Sequence, residues 1–168
     1  MGRPTALLTI GLWLGGLVAS WLAASANFRT VDQVLGPSRR PELAEKLKGV
    51  DEADRRMLLR HLASEINRFM FSRWWLAQAV LGLVLLAVVW SAGGSARSLA
   101  GAVLLLVLAQ GLLVVPITSL GRAIDFVPRP LPPATARHFG LLHAAYVGSD
   151  LLKAALLAAA AWLLARRA

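Results

Sequence analysis

Four stretches of this chain are almost purely apolar, and each is long enough to cross a bilayer. Residues 5–26 carry no charge, residues 74–92 are interrupted chiefly by Gln78, residues 98–118 hold Gln110 and end near Pro116, and residues 141–165 contain His143, Tyr146, Asp150 and Lys153. About 20 apolar residues suffice for a span, because the hydrocarbon is about 30 Å thick and a helix rises about 1.5 Å per residue. Four such runs in 168 residues leave too little polar surface for a water-soluble fold. The pattern therefore predicts an all-α integral membrane four-helix bundle, a single domain over residues 1–168.

The segment between the first two runs, residues 27–73, has a different period. Pro41 to Lys48 predicts a short helix stopped at Gly49. A longer helix starts near Asp51, with Glu52 and Asp54 in the first turn, where the helix dipole favours anions. Leu58, Leu62, Ile66 and Phe69 recur at three- and four-residue steps while Arg55, Arg56 and Arg60 crowd other positions. That is an amphipathic helix, lying on the membrane surface or against the bundle before it runs into the second span. Residues 92–97, AGGSAR, predict a tight turn that makes the second and third spans a hairpin. Pro128 to Pro133 holds four prolines and predicts a stiff, extended spacer.

Composition agrees with lipid: 57% of residues are hydrophobic and 16% charged. The net charge of +9 does not imply nucleic acid, because the basic residues sit in the connections rather than on a face with exposed aromatics. Ten lie within residues 27–73 and three within 119–140, against four (Arg3, Arg97, Arg166 and Arg167) on the opposite side. Positive residues mark cytoplasmic loops. Both long connections are thus expected in the cytoplasm and both termini outside, in a multi-pass inner-membrane protein. The first span also resembles a secretory signal peptide, with Arg3, a Leu-rich core and Ala24-Ser25-Ala26. Its core is longer than a signal peptide needs, and cleavage would send the basic loop across the membrane, so retention is expected. Gly11, Gly15, Ala19 and Ala23 form a small-residue face on this span that suits close helix packing. Besides the lipid bilayer, the expected partners are further copies of the chain or another membrane subunit.

Candidate chemistry is confined to the last span. The chain has no cysteine, which excludes disulfides, thiolate nucleophiles and Cys-ligated metals. It contains no HExxH, GxSxG, P-loop or GxGxxG motif. The histidines, His61, His138 and His143, do not form a facing axial pair for haem. No catalytic residue, metal site or cofactor is expected. His143, Tyr146, Asp150 and Lys153, by contrast, follow steps of three, four and three and share one helix face. Each charge near mid-membrane costs about 2.5–3.5 kcal/mol, so Asp150 and Lys153, one turn apart, should pair and face inward. Gln110 lies at the depth of Asp150, while Gln78 and His143 lie near the loop side. Asn27, Asp32, Glu65, Asn67, Arg122 and Asp125 should collect beneath them. These placements predict a polar cleft open to the cytoplasm and floored by Gln110 and Asp150, a candidate substrate or ion pathway.

Phe139-Gly140-Leu141-Leu142-His143, with Asp150 further in, resembles a pattern of the transmembrane protein 205-like family. Its last helix is likewise preceded by a phenylalanine four residues before a histidine, with Asn or Asp beyond. The resemblance covers the last span and the helix count, and the long basic first loop departs from the family pattern. It implies a four-helix membrane protein without assigned catalysis. Two functions lead, beside a third class, a membrane-bound enzyme, which would need a metal or cofactor to co-purify. One is a non-enzymatic accessory or scaffold subunit, in which Asp150→Asn is tolerated and changes at Gly11 or Gly15 disturb assembly. The other is a small oligomeric transporter or channel that uses the His/Asp/Lys face.

Overall fold

The computed structural model describes residues 2–36, 41–46, 48–90 and 94–166. The fold is all-helical: α1 (Gly2–Leu35), α2 (Pro41–Lys46), α3 (Glu52–Val89), α4 (Gly94–Ile124) and α5 (Pro133–Arg166). The long helices α1, α3, α4 and α5 are each long and apolar enough to cross a membrane. They run up and down, so the termini and the α3–α4 connection share one end. Arg3 ties that end together by donating to the Ala165 carbonyl at 2.9 Å. The opposite, loop end carries α2 and the α4–α5 connection.

The buried residues explain why four separate helices make one bundle. On α1 the main series is Ala6, Ile10, Trp13, Leu17 and Ser20, with Thr9 and Val31 also buried; on α4 it is Ala96, Ala100, Val103, Val107 and Gln110, with Gly121 and Ile124 buried further on. On α5 they are Tyr146, Asp150, Lys153, Leu157, Ala160 and Leu164. Each series alternates steps of four and three, the 3.5-residue seam of left-handed, nearly parallel helix packing. The middle of α3 keeps the same period with Gln78, Gly82, Leu85 and Val89. Two adjacent tryptophans of α3 then wedge into neighbours. A β-carbon on Gly16 of α1 would strike the Trp74 ring, and one on Gly111 of α4 would lie 2.7 Å from the Trp75 ring. Trp75 also donates its Nε1–H to the Val107 carbonyl at 2.8 Å.

Several boundaries differ from the sequence reading. α4 does not stop near Pro116; it continues to Ile124, and the Thr118 hydroxyl donates to the Val114 carbonyl at 2.7 Å one turn back. The helix expected from Asp51 and the second span are a single helix, opened by the Asp51 carboxylate accepting from Ala53 N–H at 2.9 Å. Its Leu58, Leu62, Ile66 and Phe69 are 48–64% exposed. Short α2 ends before Gly49, whose φ of +97° is a conformation glycine adopts without strain. The proline-rich connection shrinks to the residues before Pro133, which opens α5 at a position where its missing N–H costs nothing. Residues 91–93 of the expected tight turn lie outside the described residues, though α3 and α4 on either side are packed neighbours.

Candidate functional site

The centre of the bundle holds a polar knot to which all four long helices contribute. Lys153, with no exposed surface, uses its three ammonium protons on three acceptors. It donates to Gln78 Oε1 at 2.5 Å and Gln110 Oε1 at 2.5 Å. It also pairs with Asp150 Oδ1 at 2.7 Å, one turn back on the same helix. Gln110 spends both amide protons in the same place, donating to Asp150 Oδ1 at 2.8 Å and to the Tyr146 carbonyl at 3.2 Å. From α1, Trp13 Nε1 donates to Gln78 Oε1 at 3.2 Å and Trp21 Nε1 donates to Asp150 Oδ2 at 3.3 Å. Both carboxylate oxygens and all three ammonium protons therefore have partners. Among the described residues, two buried polar atoms near the knot have none: Gln78 Nε2 and the Tyr146 hydroxyl.

The seam places these groups. Asp150 and Lys153 stand in the same four-three series as Leu157 and Ala160, so the period that buries leucine and alanine buries an acid and an amine in their register. Bringing such a pair into hydrocarbon is costly unless the ions meet each other and further hydrogen bonds fill the remaining sites. Here glutamines from α3 and α4 and indoles from α1 fill them.

His143 follows the same register but is exposed. Its ring stacks on Phe139, centroids 6.2 Å apart, on the outside of α5. It belongs to no polar group of the bundle interior. Gln78, expected near the loop side, is level with Lys153. Its depth was misjudged because Arg73 cut the apolar run of α3; Arg73 points outward over the Phe69 ring at 5.2 Å and does not mark the level of the bundle interior. Gln110, Tyr146, Asp150 and Lys153 do come together. They are closed in rather than lining a cleft: Tyr146 packs edge-on against Phe71, centroids 5.8 Å apart, one turn toward the loop end from Asp150.

The six polar residues expected beneath the site divide into separate groups. Asn27 donates to Asn67 at 2.5 Å, and Asn67 donates to the Ala24 carbonyl at 3.3 Å. Arg56 pairs with Asp32 at 3.1 Å. The third group is larger. Arg68 forks onto Asp125 with two bonds of 2.8 Å and reaches Glu65 at 2.6 Å. His61 Nδ1 meets Asp125 Oδ2 at 2.7 Å, and Arg122 Nε meets Glu65 Oε1 at 3.2 Å. This latch ties the loop-end half of α3 to the end of α4. His61, Glu65 and Asp125 bring ligand atoms within 4.8 Å of one another. The Arg68 guanidinium, however, donates to both carboxylates from between them, so the positive charge that a metal would bring is already supplied.

On the small-residue face of α1, Gly11, Gly15 and Ala19 are exposed and Ala23 is half-buried. A β-carbon on Gly11 or Gly15 would meet nothing within 4 Å. The glycines that helices do press against are Gly16, Gly82 and Gly111.

Sequence reasoning missed Trp13 and Trp21. The available signal was their position: tryptophan in spanning helices concentrates at the two interfaces, and these two sit well inside the first apolar run. Arg68 and His61 carry no signal of their own among the basic residues of 27–73; only their shared partner Asp125, on the α4 side, singles them out.

The chain matches no family model, no curated protein and no solved structure.

Proposed function

We propose that this protein is a non-enzymatic accessory or scaffold subunit of the inner membrane. The observation that carries the reading is the saturation of the Asp150–Lys153 pair, whose every donor and acceptor is engaged inside the bundle. A transport or catalytic site must leave at least one such group free to exchange partners. A group held on all sides instead fixes the four helices in register, and the outer faces are then what the protein offers to others. The arginine asymmetry supports placing the α1–α3 and α4–α5 connections in the cytoplasm and both termini outside. The resemblance around Phe139 and His143 to the transmembrane protein 205-like family is compatible with this function and adds no mechanism.

Proteoliposomes holding the full chain should leak protons and monovalent cations no faster than empty vesicles. A flux above that background, abolished by Asp150→Asn, would replace this reading with the transport one. That second reading has one specific support: Gln78 Nε2 and the Tyr146 hydroxyl are buried beside the pair without partners, as groups on a proton or ion route would be between transits.

A further inference from the structure

Among the described residues, the outward face of the loop-end half of α3 has no partner within the bundle. Leu58, Leu62, Ile66 and Phe69 lie along it, 48–64% exposed. Beside it, Leu59 and Leu62 of α3 meet Val31 and Val34 of α1 to form a shallow apolar groove. In the membrane proper, an exposed apolar stripe needs no explanation, since lipid covers it. This one continues too far. Trp90, at the terminal end of α3, is 21 residues from Phe69, roughly 32 Å along the helix and already the full hydrocarbon thickness. Ile66, Leu62 and Leu58 then project roughly 5–17 Å beyond the hydrocarbon, where exposed leucines in this number mark a contact surface.

Charge says what kind of contact. Of Arg55, Arg56 and Arg60, which the sequence reading set apart from the stripe, only Arg56 and Arg60 lie on another side. Helical periodicity puts Arg55 and Arg73 on this same face, one at each end of the stripe, about five turns or roughly 27 Å apart. Arg73 is rooted one turn inside the hydrocarbon edge, but its guanidinium lies over the Phe69 ring, so the long side chain brings its charge to that edge. Arg55 has its Nε buried without a hydrogen-bond partner. Among the described residues neither arginine has an ion-pair partner, whereas Arg56, Arg60, Arg68 and Arg122 on other sides all do. A second copy of the chain is a poor occupant. Two copies meeting through this same face in one membrane orientation would be related by a two-fold axis normal to the bilayer, setting Arg55 against Arg55 and Arg73 against Arg73. A copy meeting it with another face would bring carboxylates already held by arginines, as Asp32, Glu52, Glu65 and Asp125 are.

We infer that this face docks an acidic amphipathic helix of another protein, with leucine-like side chains in the stripe and groove and a carboxylate at each end against Arg55 and Arg73. The mode is helix-in-groove recognition. It rests on the accessory reading and names that reading's partner class.

The chain lacks cysteine, so single-cysteine reporters are clean. The full chain would be placed in neutral phosphatidylcholine nanodiscs. It would be titrated with a labelled helical peptide that carries leucines at three- and four-residue steps and glutamates at both ends, and with the same peptide ending in lysines. The glutamate peptide should bind, and each of Arg55→Glu and Arg73→Glu should weaken it about threefold, as exposed ion pairs do. Leu62→Glu should weaken it about tenfold or more, as loss of a central apolar anchor does. The double variant Arg55→Glu/Arg73→Glu should prefer the lysine peptide, a reversal that misfolding cannot produce. Equal binding of both peptides to the natural chain would overturn the inference. So would oxidative crosslinking of Leu62→Cys between copies, which gives the face to a second copy. Quenching of a fluorophore on Leu62→Cys by spin-labelled lipid, which lays the face on the bilayer, would overturn it as well. Ion flux through the bundle would sink the accessory reading while leaving the peptide result intact, so the two failures are distinguishable.

Discussion

Lys153 is the residue on which the interior depends. Its ammonium satisfies two glutamine carbonyls and an aspartate at once, so removing it alone strands a carboxylate in a dry interior. Lys153→Met should lower stability by about 3–5 kcal/mol, the usual result of breaking one side of a buried pair. The double variant Lys153→Met/Asp150→Leu should recover most of that loss, because an apolar replacement strands nothing. Unfolding of purified protein in mild detergent, followed by circular dichroism, reads both. A double variant no better than the single one would show that the glutamines and indoles, rather than the ion pair, hold the centre. His143 gives the complementary lesson: although in register, it is exposed, and His143→Ala should leave the same unfolding curve unmoved.

Between elements, the close contacts run through particular glycines. α3 meets α1 at Gly16 beneath Trp74 and meets α4 at Gly111 beneath Trp75. Gly16→Val and Gly111→Val should each destabilise the bundle by about 1–3 kcal/mol, as overpacking does. Gly11→Ala and Gly15→Ala should leave the melting temperature of the isolated chain unchanged, since nothing lies against them. Should either of the latter two alter complex size in mild detergent while leaving melting alone, that face would be assigned to association with another chain. The latch at the loop end works between elements too. Arg68 joins α3 to the end of α4 through Asp125, and it ties the loop-end half of α3 to the bundle.

For the whole molecule, four spans with one end tied by Arg3 fix the topology up to a choice of side. The proposed choice, with the loop end in the cytoplasm, rests on the arginine asymmetry. With Val50→Cys and Ser95→Cys introduced singly, a membrane-impermeant maleimide applied to intact cells whose outer envelope has been opened should label the Ser95 site and spare the Val50 site. Labelling in the reverse pattern would invert the protein and move the α3 docking face to the outside. The terminal end also carries stacked arginine–tryptophan pairs, Arg97 over Trp90 at 5.3 Å and Arg166 over Trp162 at 4.1 Å, which suit an interface where one side is apolar and the other wet.

The sequence by itself determined the all-helical class, the four long apolar helices and the face that Tyr146, Asp150 and Lys153 share. These follow from local periodicity and from the cost of a charge in hydrocarbon, and both act without knowledge of neighbours. Tertiary structure alone decided which in-register positions are covered. The four-three series on α5 runs through His143 as readily as through Asp150, yet only the second is enclosed, because enclosure depends on where the other three helices stand. Depth was decided the same way. The apolar run of α3 begins where Arg73 interrupts it, but relative height is set by what the side chains touch, and Lys153 holds Gln78 at the centre of the bundle.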